Sequence, residues 1–155
     1  MREILFRGKS IDSGEWVYGV PVIAKDNIAD KDITVLVDNP NEIVPREGLP
    51  LFEQIDPETV GQYTGLKGRN GERIFESDIL CIKKRNGTKS RICFVCFGEY
   101  IDADSAFDNY RCIGFYIKIF DTCCTIGVLW DSEFEYEIIG NIHDNPELLK
   151  GEDNG

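Results

Sequence analysis

The sequence holds one histidine, His143, and no apolar run long enough to cross a bilayer as a helix. It has no long amphipathic helical pattern, no internal repeat and no low-complexity tract. Bases are scarce in its second part: residues 99–155 carry 13 acids against only Arg111, Lys118 and Lys150, a net of −10. Each shortage excludes something. A lone histidine gives a Ser-His-Asp or Cys-His arrangement a single candidate, and its acidic neighbour Asp144 is adjacent only in sequence. The missing apolar run argues against a membrane partner. The acidic surplus steers the chain away from nucleic-acid phosphates and anionic lipid. The glycine-rich "GLKGRNG" of residues 65–71 lacks a Gly-Lys-Ser/Thr ending, and a strand pattern follows where a nucleotide loop would open a helix. That segment reads as a turn.

What is present suits one folded domain. The chain has 155 residues, 42% of them hydrophobic and 29% charged, and a chain of this length buries roughly 68–70% of its unfolded surface without a metal or disulfide staple. The net charge is −11, and residues 1–98, with 15 acids and 14 bases, account for only −1 of it. Six cysteines stand at 81, 93, 96, 112, 123 and 124. Arg2, Glu3 and Arg7 interrupt any export signal, so a cytosolic location with reduced thiols is expected. Cys93 and Cys96 have CxxC spacing, yet residues three apart on a strand point to opposite faces and cannot readily grip one metal. No second CxxC completes such a site, and no cofactor or metal is expected.

β-strand signals dominate. Ile4–Phe6 leads into a turn at Asp12-Ser13-Gly14, and Trp16, Tyr18 and Val20 alternate in the returning strand. Ile33–Val37 forms a third strand. Three prolines make Asp38–Pro50 a loop, and Lys25–Asp32 reads as another. Asp56-Pro57 opens the next element, with Gly65–Gly71 as a tight connection. Asn86-Gly87 suits a type I′ hairpin, which pairs Ile79 with Phe94 and Cys81 with Ile92 and makes those four the expected core face. Glu99–Asn109 reads as loop or at most one helical turn, followed by strands around Phe115–Phe120 and Cys124–Trp130. Phe134, Tyr136 and Ile138 alternate with Glu133, Glu135 and Glu137, the mark of a half-buried strand. Asn145 and Pro146 suit the start of one short helical turn, and residues 151–155 should fray.

Two charged surfaces stand out. Lys83, Lys84, Arg85, Lys89 and Arg91 run without an intervening acid. In the hairpin register Lys84, Lys89 and Arg91 share one face, and Lys83 and Arg85 the other. Such a basic tip could touch phosphates or a protein partner, although no aromatics interleave for stacking. Glu133, Glu135 and Glu137 line the opposite kind of face, an acidic docking surface or a solvated one. The two are complementary, within one molecule or between copies.

Three segments carry a resemblance: "REILFRGKSIDSGEWVYG" near the start, "IDPETVGQYTGLKGRNGERIFESDIL" in the middle, and "EIIGNIHDNPELL" near the end. In this order they resemble the YopX family of phage and prophage proteins. The resemblance implies a mainly β domain over residues 1–150, with an N-terminal β subregion at 1–55 and an SH3-like barrel or roll at 56–145. It implies life in a bacterial host cell and supplies no catalytic residues. Where the family usually has glycine, this chain has Ser77, which costs roughly 1 kcal/mol if that turn needs positive φ. Three functions follow as expectations: a non-enzymatic module binding another protein, a nucleic-acid contact through residues 83–91, or a small carboxylate- or metal-dependent enzyme.

Overall fold

The computed structural model describes residues 3–26, 28–37, 52–84, 90–101, 111–119, 125–126 and 134–149. The expected loop at Asp38–Pro50, the Asn86-Gly87 turn and the tail at 151–155 lie outside them. The protein is mainly β, built of antiparallel sheets, and none closes into a barrel among the described residues. The chain divides into two compact units, Met1–Gly65 and Leu66–Gly155.

In the first unit, β1 (Phe6–Lys9) and β2 (Trp16–Asp26) form the N-terminal hairpin, paired from Phe6↔Gly19 to Lys9↔Trp16. Gly14 turns the chain at φ +72°, a conformation that favours glycine, and donates its N–H to the Ser10 carbonyl at 2.9 Å. β3 (Lys31–Val37) pairs with β2 from Val20↔Val37 to Asp26↔Lys31. Both ends of the loop expected at Lys25–Asp32 are therefore strand, with Ile28–Asp30 turning between them. The Asp26 side chain explains why the connection is so short: its Oδ1 accepts the N–H groups of Ile28 and Ala29 at 2.9 and 3.1 Å. These bonds, that from Ala29 foremost, hold its carboxyl below the usual range.

β4 (Phe52–Gln54) adds to β3, and β5 (Gly61–Lys67) adds to β1. Between them Pro57–Thr59 forms a 3-10 turn, capped by Asp56 accepting from the Glu58 N–H. Thr59 ties this turn to β1, accepting from Lys9 N–H at 2.8 Å while donating to the Asp56 carbonyl at 2.7 Å. Ile55 is fully buried, and Gly8 makes room for it, because a Cβ at Gly8 would collide with the Ile55 side chain.

The second unit continues with β6 (Arg73–Phe75), β7 (Asp78–Lys84), β8 (Arg91–Ile101), β9 (Arg111–Ile119), β10 (Thr125–Ile126) and β11 (Phe134–Asn141). Its five-stranded sheet runs β10-β9-β8-β7-β11. β7 and β8 pair Ile79↔Phe94 and Cys81↔Ile92, the register the Asn-Gly turn implies. The expected core face is buried only in part: Ile79 is fully buried, and Cys81 and Phe94 are half-buried. Leu80 and Ile82 meet Cys93 and Val95 in the core with Leu66, Ile74, Ile117 and Ile119, whereas Ile92 is exposed. Both residue parities of β7 are apolar, so alternation there cannot mark a side. β9 decides it, placing Ile119 and Ile117 opposite Cys93 and Val95. Phe134, Tyr136 and Ile138 pack against this core as their alternation indicates.

The segment expected as loop from Glu99 is strand as far as Ile101, because β9 starts early enough to pair Ile101 with Arg111 and Tyr100 with Cys112. Near the C-terminus Pro146–Leu149 forms a single 3-10 turn. It lies so close to Gly140 that a Cβ there would come within 2.9 Å of Leu148 Cδ1.

The link from β6 to β7 holds the one non-glycine residue at positive φ among the described residues of this unit. Ser77 sits at φ +71°, held by its N–H to the Val95 carbonyl at 2.9 Å and by Ile142 N–H to its own carbonyl at 3.0 Å. Beside it, the buried carboxylate of Asp78 accepts from Phe75 N–H at 2.8 Å and from Asn141 Nδ2 at 3.4 Å. Ser77→Gly should relieve a strain of about 1 kcal/mol, raising the urea midpoint without changing the slope of the transition.

Candidate interaction surfaces of the second unit

Pairing between β7 and β11 brings the basic and acidic runs together. Glu135 stands opposite Lys83, and Phe134 opposite Lys84. Lys83 Nζ lies 3.5 Å from Glu137 Oε2, one step along the same face, and Arg69 Nη1 lies 3.8 Å from Glu135 Oε2. Lys84 Nζ sits 5.4 Å from the centre of the Phe134 ring. Arg91 is exposed at the start of β8, opposite Ile82. Arg85, Lys89 and Glu133 lie outside the described residues. Lys83, Lys84, Glu135 and Glu137 thus meet countercharges or a ring of their own chain. Arg69 was no part of the sequence reading. The turn at residues 68–71 brings it to β11, its N–H donating to the Tyr136 carbonyl at 2.7 Å.

The thiols separate by face. Cys93 is fully buried among the core residues and lies 3.7 Å from the Leu80 carbonyl, while Cys96 is half-buried on the reverse face opposite Tyr116. Burial pushes the Cys93 thiol up to about 12, and burial raises Cys96 against a hydrogen bond with Tyr116 that acts the other way. Cys93 lacks the electropositive, partly open setting that activates a cysteine, and at Cys96 burial outweighs the pull of Lys118. Among the described residues no three His, Cys, Asp or Glu side chains gather into a metal site.

A third surface has no counterpart in the sequence reading. β7 pairs with β8 only from Arg91 to Phe94, whereas β9 pairs with it from Cys93 to Ile101. The far halves of β8 and β9 therefore extend beyond β7 as an arm. The core face continues onto it. Cys93 and Val95 are buried, but Phe97 is 50% and Ile101 49% exposed; along β9, Ile119 and Ile117 are buried and Ile113 is 81% exposed. Phe97 and Phe115 face each other edge-on at 5.0 Å. On the reverse face Tyr100 and Tyr116 stack at 5.0 Å, on either side of the bare pair Gly98↔Gly114. One ion pair completes the apolar face, Arg111 Nη1 to Glu99 Oε1 at 3.1 Å, both side chains exposed. The parity of residues 95, 97, 99 and 101 carries this signal, but only once strand is assigned past Glu99.

A family profile described as YopX protein matches residues 5–150. The chain belongs to the YopX family. No curated protein matches it closely enough to add an activity. In this YopX protein the family match spans both units, including the hairpin, the glycine turn and the arm.

Two outcomes follow from these contacts. A double-mutant cycle on Lys83→Ala and Glu137→Ala should give a coupling below about 1 kcal/mol that shrinks with added salt, since both groups are substantially exposed. The raised pKa of Cys93 means that above about pH 9 the unfolded thiol loses a proton the folded one keeps. Stability then falls as pH rises toward 12, by a total on the order of 4 kcal/mol. Urea midpoints measured across the alkaline range should decline more steeply for the native protein than for Cys93→Ala.

Proposed function

We propose that this YopX protein is a non-enzymatic protein-interaction module of phage or prophage origin, working in the bacterial cytoplasm and docking through the β8–β9 arm. The observation that carries this reading is the apolar face of the arm, where Phe97, Ile101 and Ile113 continue the core outward into solvent. A large apolar side chain forgoes roughly 1.5–3 kcal/mol when left exposed, and a cluster of them on a projecting ribbon marks an interaction site more often than chance. The SH3-like roll belongs to the same proposal, supported by the antiparallel strands and tight turns of the second unit. Nucleic-acid contact through residues 83–91 has less support. Lys83 already neutralises Glu137, Lys84 lies over Phe134, and the net charge is −11. Carboxylate- or metal-dependent catalysis has no assembled group behind it among the described residues.

The test uses the full chain as bait in lysate of lysogenic bacteria, beside a Phe97→Ser/Ile113→Ser variant that keeps the native near-ultraviolet spectrum. Partner recovery should fall at least about tenfold for the variant, equivalent to 1.4 kcal/mol. Equal recovery by both baits would overturn the assignment of docking to the arm.

A further inference from the structure

We propose that Asn70, in the turn from β5 to β6, is a self-modifying site: the Gly71 nitrogen closes on its side-chain amide, and the ring reopens as aspartate or isoaspartate. This goes beyond the reading of the arm and does not depend on it. The reaction needs a following backbone nitrogen that can lose a proton, and a side-chain carbonyl carbon able to swing onto it. Three asparagines among the described residues can be compared: Asn70, Asn141 and Asn145. Asn145 precedes Pro146, whose nitrogen carries no proton. Asn141 is buried, its amide held between Asp78 Oδ1 and the His143 N–H, and the next nitrogen donates to the Ser77 carbonyl at 3.0 Å. Asn70 and Gly71 are both exposed, and Gly71, at φ +82°, has nothing within 4 Å of where a Cβ would stand. Its N–H donates to the Gly68 carbonyl at 3.0 Å, a bond in a solvent-exposed turn, which opens locally far more cheaply than one in the core.

The steps consume only water. The Gly71 nitrogen gives its proton to hydroxide and bonds to Asn70 Cγ, the amide nitrogen leaves as ammonia, and a five-membered imide remains. Water then adds to either imide carbonyl, giving aspartate or, with one more carbon in the main chain, isoaspartate. Charge around the turn assists the first step. Lys67, Arg69 and Arg73 surround it with only Glu72 in opposition, all four exposed, and this surplus favours the negative charge that develops on the Gly71 nitrogen. The product has a structural effect. The turn is tied to β11 by the Arg69 N–H, which donates to the Tyr136 carbonyl at 2.7 Å, and by Arg69 Nη1, 3.8 Å from Glu135 Oε2. Isoaspartate lengthens the chain inside the loop that Gly68 N–H closes on the Glu72 carbonyl at 2.8 Å. Its new carboxylate also stands beside Arg69 and competes with Glu135. Conversion therefore loosens the turn from β11.

The test incubates the folded full chain in mildly alkaline buffer, labels isoaspartate with an isoaspartyl methyltransferase, and maps label and mass to individual peptides. The peptide holding residue 70 should convert at least about tenfold faster than the one holding Asn141. Asn70→Gln, which cannot close a five-membered ring, should lose the label from that peptide while keeping the native near-ultraviolet spectrum. Converted protein, separated by its added negative charge, should exchange the Arg69 amide hydrogen at least about tenfold faster than fresh protein. Asn70 left intact, label retained at this peptide in Asn70→Gln, or equal conversion at Asn141 would each overturn the proposal. Conversion that leaves Arg69 exchange unchanged would overturn the release of the turn from β11.

Discussion

The register between β7 and β8 is the constraint on which the second unit depends. Side chains alternate with a period of two, so a slip of one residue would exchange the whole of one face for the other. With Ile79 opposite Phe94, Leu80, Ile82, Cys93 and Val95 enter the core together. The same register sends Lys83 to the reverse face, where β11 supplies Glu135 and Glu137. Apolar burial and charge pairing therefore follow from one alignment. Asp78 and Ser77 fix its starting point, the first through its bonds to Phe75 and Asn141, the second by donating to Val95.

Strand length then turns architecture into surface. β7 is seven residues long and β8 eleven, so the core face outruns the strand beside it. The exposures of Phe97, Ile101 and Ile113 are the geometric result, and no separate binding pocket has to be built. Two-stranded ribbons are marginal on their own, and this one is braced on both sides by the Phe97–Phe115 and Tyr100–Tyr116 contacts. Such bracing keeps the apolar side chains presented in a defined array before anything binds them, which lowers the ordering cost of association.

Much of this architecture can be read from the residues. The β7–β8 register is the one that a hairpin centred on Asn86-Gly87 implies, and the Glu133–Ile138 alternation marks β11 and its buried side. Ser77 stands at the positive φ that a glycine position implies. The buried side of β7–β8 was not legible, because Ile79, Leu80, Cys81 and Ile82 are apolar at every position and only β9 distinguishes them. The arm was hidden for a related reason. Glu99 to Asn109 is polar and acidic in composition, and Tyr100 and Ile101 become strand only through partners more than ten residues away. As for the charged runs, sequence marks both and their mutual attraction, while tertiary pairing decides that the attraction is satisfied within one chain.

The rung formed by Gly98 and Gly114 has a mechanical consequence. Gly98 holds φ +148°, and neither residue offers a Cβ to resist a change in twist. Coiling of the ribbon can therefore concentrate at this one level, while the Tyr100–Tyr116 stack, which spans it, ties the outer segment, Glu99–Ile101 with Arg111–Ile113, to the base held by Phe97 and Phe115. The glycine rung thus sets the twist at which the outer apolar side chains face the solvent.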